Sequence, residues 1–218
     1  MTIHWDVVAP AIRRVMEDLS GQPFLQRFYL AGGTALALQY GHRRSVDLDF
    51  FSETDVVRAS THAEISRILL NWPDCKLEQD PSDGSMDFVV SSVRVGFYSY
   101  GYPMLIPSLN VNGHLSLASP VDIGLMKLDA LRTRAARKDF VDLYFIARQI
   151  PLDDLLRLGN RKYAYARDFA VIAIENLTYF VNADKFADVD MQEPVAWDVI
   201  RGFFNMEARR LAREWFEE

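Results

Sequence analysis

The residues best suited to chemistry are two acids in the run Ser45-Val46-Asp47-Leu48-Asp49-Phe50-Phe51. In an extended chain side chains alternate, so Asp47 and Asp49 share one face while Val46, Leu48 and Phe50 turn to the other. Two carboxylates held side by side repel each other, and a bound cation relieves that repulsion. Oxygen ligands of this kind suit Mg²⁺ carrying a nucleoside triphosphate. Just upstream, an apolar strand over Phe28–Ala31 runs into Gly32-Gly33-Thr34, which opens a short helix. The first N–H groups of a helix have no partner within it and lie at its positive end, an arrangement that favours a phosphate chain. Residues 29–51 therefore read as a nucleotide-and-metal site.

A second group of charged residues lies downstream. Ser119-Pro120-Val121-Asp122 is a helix start, with a capping serine, a proline in the first turn and an acid three residues on. On that helix Lys127 and Arg134 are seven residues apart and can face one side. Next comes Arg137-Lys138-Asp139-Phe140-Val141-Asp142, in which Asp139 and Asp142 share a helix face. Residues 127–138 hold five cations against Asp129 alone, a local balance of +4 in a chain of net charge −6. A basic island in an acidic chain suits a polyphosphate pocket or an RNA end better than a long nucleic-acid track. An ordinary solvated helix pair with i,i+3 and i,i+4 charge partners is the other reading of this segment.

Gly32-Gly33-Thr34 followed by Asp47-Leu48-Asp49 resembles the first motif of the DNA polymerase β-like nucleotidyltransferase superfamily. The wording AGGTALAL…RRSVDLDFF, with KLDALRTRAARKDFVDLYFI later, is most similar to its AbiEii-type branch of abortive-infection and toxin–antitoxin nucleotidyltransferases. The resemblance implies that Asp47 and Asp49 are metal ligands. It implies that Gly32, Gly33 and Thr34 cradle the β/γ-phosphates through backbone amides and a hydroxyl. By the same carry-over Lys127 contacts nucleotide phosphates and Asp139 belongs to the active site, with Arg134, Lys138 and Asp142 as further candidates. One departure stands out. Superfamily members usually carry a third carboxylate on a later strand, in AbiEii-like chains often as valine-x-valine-Asp-Phe. Here that run is Val93-Arg94-Val95-Gly96-Phe97, with glycine in the acid's place. Three alternatives stay open: another acid substitutes, Asp87 being the best placed; the chemistry runs on two carboxylates; or the site binds nucleotide without turnover.

The chain that positions these residues has 218 amino acids, half of them hydrophobic, enough to bury a full core. Periodicity predicts helices over Asp6–Leu19 and Val56–Leu70. Strands are predicted over Lys76–Gln79, Met86–Ser91, Val93–Tyr100 and His114–Leu117, with a turn at Pro81-Ser82-Asp83-Gly84 and a loop from Gly101 to Pro107. From Ser119 the pattern becomes helical: to about Arg134, then Lys138–Ile150, Leu152–Leu158, Arg167–Thr178 and Val195–Phe216. The expected fold is α+β, a polymerase β-like domain (mixed sheet with flanking helices, 1–118) followed by a helical bundle domain (119–218).

Other signals are bland. The single Cys75 excludes an intramolecular disulfide and fits a reducing compartment. The four histidines lack metal-ligand spacing. Aromatics at Tyr163, Tyr165, Phe169, Tyr179 and Phe180 read first as core and second as a base-stacking surface. No apolar run approaches the ~20 residues of a membrane helix, and the expected location is the cytoplasm. The leading reading is a Mg²⁺-dependent nucleotidyltransferase moving a nucleotidyl group from an NTP to a hydroxyl, with Asp47 and Asp49 on one wall of a cleft and Lys127 and Asp139 on the other. The resemblance points to a tRNA 3′ end as acceptor, ahead of a protein hydroxyl or an aminoglycoside, and to an antitoxin protein as partner. The competing reading is a catalytically weak or inactive nucleotide-binding regulatory protein on the same fold.

Overall fold

A computed structural model describes residues 2–216. The chain forms two compact units, Met1–Ser119 and Pro120–Glu218.

The first unit is built on a mixed seven-stranded sheet: β1 (Tyr29–Leu30), β2 (Leu48–Ser52), β3 (Cys75–Leu77), β4 (Ser85–Val90), β5 (Val93–Ser99), β6 (Leu109–Asn112) and β7 (Leu115–Leu117), in the order β3-β4-β5-β2-β1-β7-β6. β2 pairs parallel to β5 and antiparallel to β1, and β1 pairs parallel to β7. Helices α1 (Pro10–Ser20), α2 (Gly32–Tyr40) and α3 (Ala59–Leu69) accompany the sheet. One face is apolar: Leu48, Phe50, Phe88, Val95 and Phe97 are fully buried. Phe97 sits at its centre, stacked on Phe50 at 5.3 Å and edge-on to Phe24, Phe28 and Phe88. α1 buries Ile12, Val15, Met16 and Leu19, the helical stripe that the sequence displays.

Several boundaries depart from the periodicity. Asp6–Leu19 is not one helix. A 3₁₀ turn at Trp5–Val7 is followed by α1, which starts at Pro10, where a residue without an N–H is tolerated. Likewise α3 begins only at Ala59, because Val57 has φ +45, outside the helical region. β6 falls in a segment with no predicted strand. Asn112-Gly113, with Gly113 at φ +52, turns it back onto β7, and its exposed residues alternate too weakly to announce a strand.

The second unit is helical: α4 (Pro120–Thr133), α5 (Arg137–Ala147), α6 (Leu152–Lys162), α7 (Phe169–Asn176) and α8 (Trp197–Phe216). α6 outlasts its predicted end at Leu158 by four residues, since its last turn buries Lys162 against Asp122 of α4, Nζ to Oδ1 2.8 Å. The aromatics of this unit divide. Tyr163 stacks on Phe169, and Phe180 packs against Phe140 and Trp197, so these are core, whereas Tyr165 stands in solvent.

Truncating the central ring, Phe97→Ala, removes four aromatic contacts from a fully buried site. It is expected to cost roughly 3–5 kcal/mol, read as a fall in the urea midpoint of the full chain.

Candidate active site

The site is organised by α2 and β2. Gly32 begins α2 at φ +63, a conformation glycine adopts without strain. A Cβ there would stand 3.2 Å from Asp49 Oδ2, a tight contact, so the carboxylate lies close against the start of the helix. At Gly33 a Cβ would lie 1.9 Å from Arg43 Nη2: the buried Arg43 guanidinium occupies the space over that residue. Arg43 also donates to the Arg44 carbonyl at 2.9 Å. Two glycines thus admit one anionic and one cationic side chain to the positive end of a helix.

Asp47 and Asp49 are both half-buried. Only Asp49 lies within β2. The strand starts at Leu48, where pairing with Val95 begins, and Asp47 directly precedes it. Val46, placed by alternation on the face of Leu48 and Phe50, is 67% exposed. The reason is local: the Thr34 hydroxyl hydrogen-bonds to the Asp47 carbonyl and lies 2.8 Å from Ser45 Oγ, tying this stretch to α2 instead of to the sheet. Thr34 is itself buried, and its hydroxyl serves the backbone at Asp47.

Register then carries the site across the sheet. Asp49 pairs with Gly96 of β5, and Gly96 pairs with Asp87 of β4, so the three positions form one row on one face. The space above Gly96 is filled. The Tyr98 side chain folds back over it, and a Cβ on Gly96 would stand 2.1 Å from the phenol oxygen. From there Tyr98 donates to Asp87 Oδ1 at 2.5 Å, and Arg94 Nη2 donates to the same oxygen at 3.0 Å. Burial, the hydrogen bond to Asp87 and the charge of Asp49 together raise the Tyr98 pKa well above the ordinary phenol range, so the hydroxyl keeps its proton. Asp87 is buried beneath this pair, whereas Tyr98 is partly open to solvent.

In the second unit Lys127, Arg134, Asp139 and Asp142 meet in one cluster. Lys127 Nζ is 2.9 Å from Asp139 Oδ1 and 2.6 Å from Asp142 Oδ2, and all three side chains are almost wholly buried. Arg134 forks onto Asp139 with bonds of 2.9 and 2.7 Å, and its side chain is 55% exposed. Asp139 also reaches back to the Ala136 N–H at 3.2 Å, closing the first turn of α5. Burial pushes the Asp139 carboxyl up, but Lys127 and Arg134 outweigh it and bring its pKa down to about 2. The four charges balance, so the group presents its positive end through Arg134. Lys138 lies exposed on α5. Arg132 pairs with Asp129 and Arg137 with Asp188, so much of the charge counted as an island is neutralised locally.

The family model described as "Nucleotidyl transferase AbiEii toxin, Type IV TA system" matches residues 14–83, the span that holds α2 and β2. An uncharacterized protein of Aquifex aeolicus is 33% identical over 211 residues, covering 94% of this chain and 96% of its own length. Among solved structures, the MenT4 nucleotidyltransferase toxin of Mycobacterium tuberculosis superposes with a TM-score of 0.58 at 17% identity, over 86% of this chain and 76% of that one. The chain belongs to the AbiEii nucleotidyltransferase family. Its first unit has the polymerase β-like fold, and the family is one of nucleotidyltransferase toxins. No helix among the described residues is long and apolar enough to cross a membrane.

Two residues of this AbiEii site escape sequence reasoning. Arg43 stands in the Arg43-Arg44-Ser45 run beside the acidic pair, a visible signal, but nothing local says that its guanidinium packs on Gly33. Tyr98 is an ordinary strand tyrosine until the ring is seen above Gly96.

Removing Lys127 takes the ammonium away from two buried carboxylates, of which Asp139 keeps its bonds from Arg134. Lys127→Met is expected to cost roughly 3–5 kcal/mol in urea denaturation of the full chain, and Arg134→Ala less. The depressed pKa of Asp139 sets a pH window. Its contribution, roughly 2 kcal/mol for a shift of this size, is complete above about pH 4 and lost as pH falls toward 2. Stability measured across that interval should fall more steeply for the native chain than for Asp139→Asn.

Proposed function

We propose that this protein transfers a nucleotidyl group from a Mg²⁺-bound NTP to a hydroxyl, with a tRNA 3′ end as acceptor. The observation that carries the reading is the start of α2, where the Asp49 carboxylate lies against Gly32 and the Arg43 guanidinium over Gly33. A triphosphate needs donors and positive charge; its metal needs oxygens. Both kinds of group converge here.

The donor set fits magnesium. Among the described residues no three His, Cys, Asp or Glu side chains gather as a closed metal cage, and magnesium does not require one. It commonly takes one or two protein carboxylates and completes its octahedron with water and substrate phosphate oxygens. Asp47 and Asp49 would hold it, and when bound it neutralises charge on the α-phosphate and the departing pyrophosphate. The backbone amides of Gly32 and Gly33 receive the outer phosphates, and Arg43 adds positive charge beside them. In the second unit Asp139 holds the Arg134 guanidinium, and Lys127 holds Asp139 and Asp142. The tRNA acceptor and an antitoxin partner are supported by the family likeness.

Glycine at position 96 favours a second reading, a nucleotide-binding protein without turnover. Pyrophosphate release in the presence of bulk tRNA separates the two. For the site itself, isothermal titration should show Mg²⁺-dependent binding of at least one NTP, abolished in Asp47→Asn/Asp49→Asn. Unchanged binding in that double variant would falsify the assignment.

A further inference from the structure

Nucleotidyl transfer requires the acceptor hydroxyl to lose a proton as its oxygen attacks, and a side chain within hydrogen-bond reach can take it. On the row that starts at Asp49, the next position along is Gly96 and holds no acid. The space above it holds the Tyr98 hydroxyl, partly open to solvent, with a short hydrogen bond to the buried Asp87 behind it. The geometry points to Tyr98 and Asp87 as a two-member proton relay that serves as the base for the acceptor hydroxyl, with Tyr98 the catalytic residue and Asp87 its acceptor. This inference rests on the nucleotidyl-transfer reading above.

The step balances. The acceptor oxygen forms a bond to the α-phosphorus, and the bond from that phosphorus to the pyrophosphate oxygen breaks. The acceptor's proton passes to Tyr98 Oη as the phenol's own proton passes to Asp87 Oδ1, and pyrophosphate leaves. Tyr98 is neutral before and after; Asp87 alone gains the proton. A phenol held protonated suits this role, since it never has to carry the charge. Arg94 also donates to Asp87 Oδ1 at 3.0 Å, which holds that carboxylate in place behind the phenol. Arg94 is itself tied to Glu78 at 2.8 Å, which aims its guanidinium at Asp87 across β4.

The arrangement also explains why position 96 is glycine. A Cβ there would collide with the phenol oxygen and with two ring carbons at 2.4 and 2.6 Å. Glycine at 96 and tyrosine at 98 therefore depend on each other, and an aspartate at 96 would bring a carboxylate to nearly the point where the phenol oxygen now sits.

The test uses the full chain, Mg²⁺, the four NTPs and bulk tRNA. Two readouts are taken: pyrophosphate release, and NTP binding by calorimetry. Tyr98→Phe keeps the ring and removes the hydroxyl. It should lower pyrophosphate release by about 100-fold, the low end of what a positioned base contributes, with the NTP dissociation constant within about twofold of the native value. Gly96→Asp/Tyr98→Ala, which places an acid where the phenol was, should recover release well above Tyr98→Ala alone. A merely structural tyrosine would not be rescued in this way. The relay is overturned if Tyr98→Phe releases pyrophosphate at the native rate, or if it loses binding and release in parallel. If the native chain binds Mg²⁺–NTP yet releases no pyrophosphate, turnover itself is absent and the transfer reading falls, taking the relay with it. That outcome differs from a native rate retained in Tyr98→Phe, which sinks the relay alone.

Discussion

The parallel register between β2 and β5 is the constraint on which the first unit depends. Side chains alternate with a period of two, so a slip of one residue would exchange the faces of a strand. In the observed register Leu48 meets Val95 and Phe50 meets Phe97, closing the core. The same pairing sets Asp49 beside Gly96 and Phe51 beside Tyr98 on the opposite face. The hydrophobic effect thus selects the register, and the register delivers the acid. Phe97 is the centre of the core, and Gly96, its neighbour, is the centre of the polar row. Core and site cannot be separated in this strand.

A second theme is that small residues create the chemistry by making room. Gly32 admits the Asp49 carboxylate, Gly33 the Arg43 guanidinium and Gly96 the Tyr98 phenol. At Gly33 and Gly96 a functional group of another residue fills the volume of the absent Cβ, and at Gly32 the carboxylate lies in tight contact with it. The result is a short span in which a helix terminus, a guanidinium, a carboxylate and a phenol approach without steric conflict. A chain with alanine at these positions would keep its hydrophobic pattern and lose this convergence.

The second unit uses charge differently. α4 is fastened to α5 through Lys127 and to α6 through Asp122, by ion pairs with almost no exposure. A buried pair gains little over apolar packing, but breaking one leaves an uncompensated charge, so such pairs penalise misplaced helices more than they stabilise the correct ones. Here they fix α4 against two neighbours. Arg134 is the member of the first cluster that reaches solvent, and its orientation follows from Asp139, which four separate donors hold in place. Only three are charged-group bonds from side chains; the fourth is the Ala136 amide.

By itself the amino-acid sequence determined the local features of this protein. The glycine turn into α2, the acids at 47 and 49 and the change from mixed to helical pattern near Ser119 follow from short-range spacing. Turn chemistry, period and helix repeat act over a few residues, and those are legible in a linear chain. The strand β6, the true start of β2, the partner of Arg43, the committed hydroxyl of Thr34 and the ring above Gly96 were not. Each depends on which residue lies across a ladder or on a neighbouring element, and sequence distance does not encode that. Tertiary structure alone decided that the position lacking an acid is occupied by a phenol, because only the β2–β5–β4 register brings Asp49, Gly96 and Asp87 into one row.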